Sequence, residues 1–122
     1  MAVITPTVEK LNGDGSCVKF TWPNMANGDT GSPVKFVQWA DRSVQFSGTF
    51  GAGGSVTLEG SNNESTYQPL TDPQGNAITK TTASLEAITE ITALARPNVT
   101  AGDGTTAITA VMVVRLPQPL RA

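Results

Sequence analysis

Chemistry near neutral pH usually recruits histidine as proton carrier or metal ligand, and this chain of 122 residues has none. Serine–histidine–aspartate catalysis and histidine-containing zinc sites are therefore excluded from a single chain. Cys17 is the only cysteine, so neither an intrachain disulfide nor a CxxC site can form. Its ordinary reading is a small buried or interfacial side chain, the alternative a reactive thiol. The ten carboxylates are Glu9, Asp14, Asp29, Asp41, Glu59, Glu64, Asp72, Glu86, Glu90 and Asp103. Glycoside cleavage needs two of them face to face, and no spacing here marks such a pair. Glu86 and Glu90 would meet only on a helix. Asp14, Asp72 and Asp103 stand beside glycine or proline, where aspartate builds turns, and none has the alternating ligand spacing of a calcium loop.

Other constellations are weaker still. Gly51-Ala52-Gly53-Gly54 is glycine-rich, but no Lys-Ser/Thr follows and no helix is expected after it, so it fails as a phosphate loop. Trp22, Trp39 and Tyr67 could form a sugar-stacking platform if exposed, although two of the three fall on parities expected to face the core. Asp41 and Arg42 read as surface or turn residues. Eight basic against ten acidic residues give a formal charge of −2 with no run of either sign, which argues against nucleic acid as a partner. The N-terminus lacks the basic start and apolar run of a signal peptide, and nowhere do 18 apolar residues follow one another, which argues against a membrane. The expectation is a non-enzyme that needs no cofactor and no metal, made and kept in a cytosol unless it is carried out as part of an assembly.

What elements would position such a surface? Alternation dominates the chain. Val44, Phe46 and Phe50 share one parity, with Val56 and Leu58 repeating it beyond the glycines. The stretch Ser43 to Tyr67 therefore reads as a hairpin of two half-buried strands joined by a glycine turn. Val18, Phe20 and Trp22 alternate with Lys19 and Thr21 and should enter the core. Residues 2 to 9, interrupted by Pro6, suit an edge strand or an extended arm. Pro23 to Pro33 is a polar loop and a candidate contact surface. Val34 to Trp39 reads as a strand with apolar groups on both faces.

Thr71 to Asn76 is a proline-preset turn, and Ala77 to Thr82 a short strand. Ser84 to Leu94 has both helical spacing and β-branched content, with β preferred. Thr105 to Leu116 reads as the longest strand. Ile108, Ala110, Met112 and Val114 line one of its faces, Thr109, Val111, Val113 and Arg115 the other. Its second half is apolar on both sides, so a second layer or a partner should cover each. About eight short strands separated by Gly/Asn/Asp turns predict an all-β, antiparallel β-sandwich, jelly-roll-like. The length suits one domain over residues 1–122, with arms at 1–8 and 117–122.

The segments VQFSGTFGAGGSVTLEGSNNESTYQPLTDPQGNAITK and RPNVTAGDGTTAITAVMVVRL, within approximately residues 37 to 116, also carry a resemblance. They resemble small virion proteins, of the head-decoration (capsid cement) type, encoded among the head genes of tailed bacteriophages. Val56 to Asn63, Tyr67 to Asn76 and Arg96 to Thr106 carry the match. The resemblance implies a β-sandwich that binds an assembled capsid from outside, usually as a dimer or trimer, and stabilises it against internal DNA pressure. Its partner would then be the major capsid protein, and its location the outer head surface of the virion.

Fixed contacts of that kind would involve Val3, Ile4, Pro6 and Val8 in the N-terminal arm, Asn27 and Asp29 in the polar loop, Val111 and Val113 on the last strand, and Pro117, Pro119 and Leu120 in the tail. The alternatives are a minor tail or head–tail joining component, or a carbohydrate-binding module with at least two of Trp22, Trp39 and Tyr67 exposed.

Overall fold

The structure, a computed structural model, describes residues 2–117; Pro119 and Leu120 of the expected tail contacts lie outside the described residues. Among the described residues there are twelve strands: β1 Val3–Ile4, β2 Thr7–Lys10, β3 Cys17–Met25, β4 Thr30–Gly31, β5 Val34–Lys35, β6 Asp41–Thr49, β7 Ser55–Ser61, β8 Gln68–Pro69, β9 Thr79–Lys80, β10 Ser84–Ala87, β11 Leu94–Ala101 and β12 Ala107–Arg115. They form two sheets. The five-stranded sheet runs β10-β6-β12-β3-β2, and the seven-stranded sheet runs β1-β4-β11-β7-β8, with β5 added to β11 and β9 to β7.

This is an all-β sandwich with jelly-roll order. Setting aside β1, β2 and β5 and treating β8 and β9 as one position leaves eight framework strands. Numbered along the chain, they lie 1-8-3-6 in one sheet and 2-7-4-5 in the other, the order of two interlocked Greek keys. The first framework strand, β3, therefore pairs with the last, β12, through Ala110 opposite Trp22 and Val114 opposite Val18.

The core fills the space between the sheets. Val18, Phe20 and Trp22 enter it from β3, and Ile108, Ala110, Met112 and Val114 from β12, the latter four with no exposed surface. Val44 and Phe46 of β6 meet Val56 and Leu58 of β7 in the same cluster.

That last contact corrects the hairpin expected over Ser43 to Tyr67. β6 lies between β10 and β12, whereas β7 pairs with β11, so the two strands belong to different sheets. Equal parity is satisfied as well by two strands facing each other across a core as by two strands side by side, and the alternation cannot tell them apart. The glycine stretch is the crossing between layers. Gly51 and Gly53 adopt φ of 74° and 70°, and a Cβ on Gly54 would run into the Phe50 carbonyl. Only glycine makes the crossing this tight.

The strand expected over Val34 to Trp39 shrinks to β5. After it the chain turns, with the Trp39 amide donating to the Phe36 carbonyl at 3.2 Å. The turn buries both Phe36 and Trp39 and leaves Val37 62% exposed. A straight strand would have put the two large aromatics on opposite faces.

No helix forms over Ser84 to Leu94; β10 and the start of β11 bracket an extended link. The longest strand is matched rather than unique, since β3, β6 and β12 each have nine residues. At the N-terminus the expected edge strand becomes two, β1 on the edge of one sheet and β2 on the edge of the other. The opposite open side is bridged by Lys80 of β9 and Glu86 of β10, whose charged groups are 2.7 Å apart.

Candidate interaction surface

The two outward faces of the sandwich differ in kind. On the seven-stranded sheet, Glu59 of β7 accepts from Arg96 Nε at 3.0 Å and from Asn98 Nδ2 at 3.2 Å. The Arg96 guanidinium lies 3.7 Å over the Tyr67 ring. Thr57 and Thr79 share a hydroxyl–hydroxyl bond of 3.0 Å. The polar groups of this face are engaged with one another.

The outer face of the five-stranded sheet carries no unpaired charge in its central rows. Cross-strand register places Leu85, Gln45, Val111, Thr21 and Thr7 in one row, and Ala87, Ser43, Val113, Lys19 and Glu9 in the next. Residues directly opposite one another share a face. The two charges in these rows form an ion pair, Lys19 Nζ to Glu9 at 3.1 Å. Beyond them, Arg115 Nε donates to Asp41 at 2.9 Å, a bond that raises the Arg115 pKa. Leu85 is 64% and Val113 37% exposed. Next to Val113, Leu11, Cys17, Ser43 and Arg115 help line a shallow groove of about 430 Å³.

The expected contact residues divide among three places. Val111 and Val113 lie together on this outer face, and Val8, exposed, sits on the edge strand β2 of the same sheet. Val3 and Ile4 belong to the other sheet, joined to β2 through Thr5 and the half-buried Pro6. Asn27, exposed, donates to the Gly102 carbonyl at 3.2 Å near the opposite loops, and Pro117 is exposed.

Asp29 is 8% exposed, and its carboxylate accepts from the Ala26 and Ala2 amides, both at 2.9 Å. A carboxylate so engaged ties the loop and the N-terminus together.

Arg42, read as a surface or turn residue, is 8% exposed. Its guanidinium lies over Phe36 and donates to the carbonyls of Ile88, Thr89 and Glu90. Burial lowers its pKa, and the charge of Glu90 offsets part of that. Burial also pushes the Glu90 carboxyl up, but the hydroxyl and amide of Thr71 outweigh it, leaving a net lowering. Together these bonds pin the β10–β11 link, which is why that segment is extended.

At the loop end, Asp103 accepts from the Thr105 hydroxyl and from the Ala52 and Thr105 amides, which hold its pKa at about 2. It thus joins the glycine crossing to the β11–β12 turn. Asp72 fills the same kind of role, accepting from the Gln74 and Asn76 amides at 3.0 Å. These turn aspartates are occupied by backbone donors.

The aromatic platform does not form. Trp22 and Trp39 are 0% and 7% exposed, and their indole N–H groups donate to the carbonyls of Ser32 and Lys35. Sequence reasoning missed Leu85 and Gln45 as members of the neutral face. The available signal was strict alternation over Ser84 to Ala87, obscured by the competing helical spacing of Leu85, Ile88 and Ile91.

No protein-family model and no curated protein matches this chain. Among solved structures, it is similar to the crystal structure of the SPBc2 prophage-derived protein YomS. The two are 12% identical with a TM-score of 0.58, and the match covers 80% of this chain and 93% of that one. At that identity the likeness is one of fold.

Proposed function

We propose that this protein is a non-enzymatic structural component of a bacteriophage particle that binds the outer surface of the capsid and stabilises it. The observation that carries this reading is the outer face of the five-stranded sheet. Leu85, Val111 and Val113 stand there among small polar groups, with the flanking charges already paired. Such a face forms a contact without leaving an unpaired buried charge, the commonest penalty at an interface. The fold likeness to a prophage-derived protein is in keeping with the phage setting, as are the sequence segments between residues 37 and 116 that resemble head-decoration proteins.

The major capsid protein is the partner in this reading. Many copies acting together supply stability that one small interface would not, since linked weak contacts multiply. Imaging purified particles at side-chain resolution tests the reading. Hundreds of copies on the outer head, seated by the face bearing Val111 and Val113, are expected. A few copies in a ring at a vertex or along a tail would move the function to a joining or tail component. Absence from particles would overturn the reading altogether.

A further inference from the structure

The N-terminal segment passes from one sheet of the sandwich to the other through a two-residue link. Ile4 ends β1 in the seven-stranded sheet, and Thr7 begins β2 in the five-stranded one. Thr5 and Pro6 alone make the crossing. Three Cα steps reach at most about 11 Å, while stacked sheets lie about 10 Å apart. Proline fixes its own φ and keeps the residue before it extended, so the link is stiff as well as short. A hinge this short limits how the terminal element can fold back, and short hinges favour its exchange between copies, because exchange preserves every native bond.

The place where β1 docks is a built acceptor. Asp29 Oδ1 receives the Ala2 amide at 2.9 Å, and the Thr30 and Ser32 amides donate to the carbonyls of Ala2 and Ile4 at 2.9 and 2.8 Å. The other Asp29 oxygen is held by the Ala26 amide within its own loop, so the receptor is preformed and buried. Behind it, Gly31 packs so closely on Trp22 and Pro97 that a Cβ would come within 2.6 Å of both. The acceptor takes backbone hydrogen bonds together with the Ile4 side chain, which packs against the core, and any copy of this chain presents the same segment.

From these observations we infer that residues 2–5 are exchanged between two copies, the strap of each filling the β4 edge of the other beside Asp29. The exposed apolar side chains on either side of the hinge support a second copy as the occupant. Val3 is 69% and Val8 60% exposed, and two hinges passing each other would cover all four valines of the pair. The inference stands on the strap alone and is independent of where the protein acts.

Disulfide trapping tests it in the full-length chain. Val3 and Thr30 are register partners on neighbouring strands, a spacing that a disulfide can bridge. In a Cys17→Ser background, Val3→Cys with Thr30→Cys is oxidised at micromolar concentration and run without reductant. The expected result is a covalent dimer as the dominant band, reversed by reductant and reduced to monomer in either single-cysteine variant. A cross-linked monomer, seen as a faster-running band, would overturn the exchange, and so would no cross-link at all. Light scattering of the unmodified chain gives a second reading: a dimer mass that reverts to monomer when residues 2–5 are deleted is expected, and an unchanged mass would overturn the proposal.

Discussion

Arg42 and Phe36 are stacked, the guanidinium carbon 4.6 Å from the ring centroid. The contact holds a buried positive charge between an aromatic face below and three carbonyls of the 88–90 link above. A cation over a ring and a charge donating to carbonyls both strengthen when water is excluded. We expect Arg42→Met, which keeps the stem but removes the donors, to destabilise the fold by about 2 to 3 kcal/mol. Arg42→Lys should recover part of that loss. Urea unfolding of the three proteins checks the order, and an Arg42→Met midpoint equal to the parent would remove Arg42 as the pin of this segment.

Asp103 sets the acid limit at the loop end. Its carboxyl titrates at about 2 in the folded protein and near 3.9 when unfolded. The stabilisation is thus complete above the unfolded value and is lost as pH falls through the folded one. Asp103→Asn should lower the melting temperature at pH 6 but flatten its decline between pH 4 and pH 2. Parallel melting curves of parent and variant over that window would contradict the assignment.

Gly31 is constrained by space rather than by dihedral angle, since a Cβ there would press on Trp22 and Pro97. Gly31→Ala should destabilise by about 1 to 3 kcal/mol through overpacking. Exchange of the Ala2 and Ser32 amide hydrogens should rise with it, because among the described residues β4 is the strand that pairs with β1. Amide exchange read by NMR shows whether the two edges loosen together.

Under the proposed function, Val113 is where attachment and folding separate. It is partly exposed on the neutral face while its neighbours Met112 and Val114 are fully buried. Val113→Lys should leave the unfolding midpoint within about 0.5 kcal/mol of the parent yet weaken attachment to particles at least tenfold. Met112→Ala should do the reverse, with a loss of about 2 to 5 kcal/mol in stability. Co-sedimentation with particles, paired with denaturation, distinguishes the two.

Residue patterning carried the class of the fold but not its wiring. The alternation of Val18, Phe20 and Trp22, and of Ile108 to Val114, identified core faces because burial imposes a period of two on any strand. The same alternation in Val44, Phe46, Val56 and Leu58 suggested a hairpin where the chain in fact changes sheets. Periodicity reports which side of a strand is wet, and hydrogen-bond partners leave no such mark. The burial of Asp29 and Arg42 was missed for a related reason. Both are charged and were read as exposed, while their burial depends on groups such as the Ala2 amide for Asp29 and the 88–90 carbonyls for Arg42, which lie far along the chain. Pairing of that sort lies in the tertiary structure, beyond local composition.

The adjacency of β3 and β12 has a consequence for how the protein comes into being. Trp22 lies opposite Ala110, and β12 also supplies the neighbour of β6 along its whole length. The centre of the five-stranded sheet is therefore the last of its strands to leave the ribosome. Until residues 107–115 emerge, β3 and β6 have unpaired edges and a half-built core, a state that invites association with other chains. Folding must wait for nearly the whole chain and then close its longest loops, which places it among the slow, millisecond-to-second topologies.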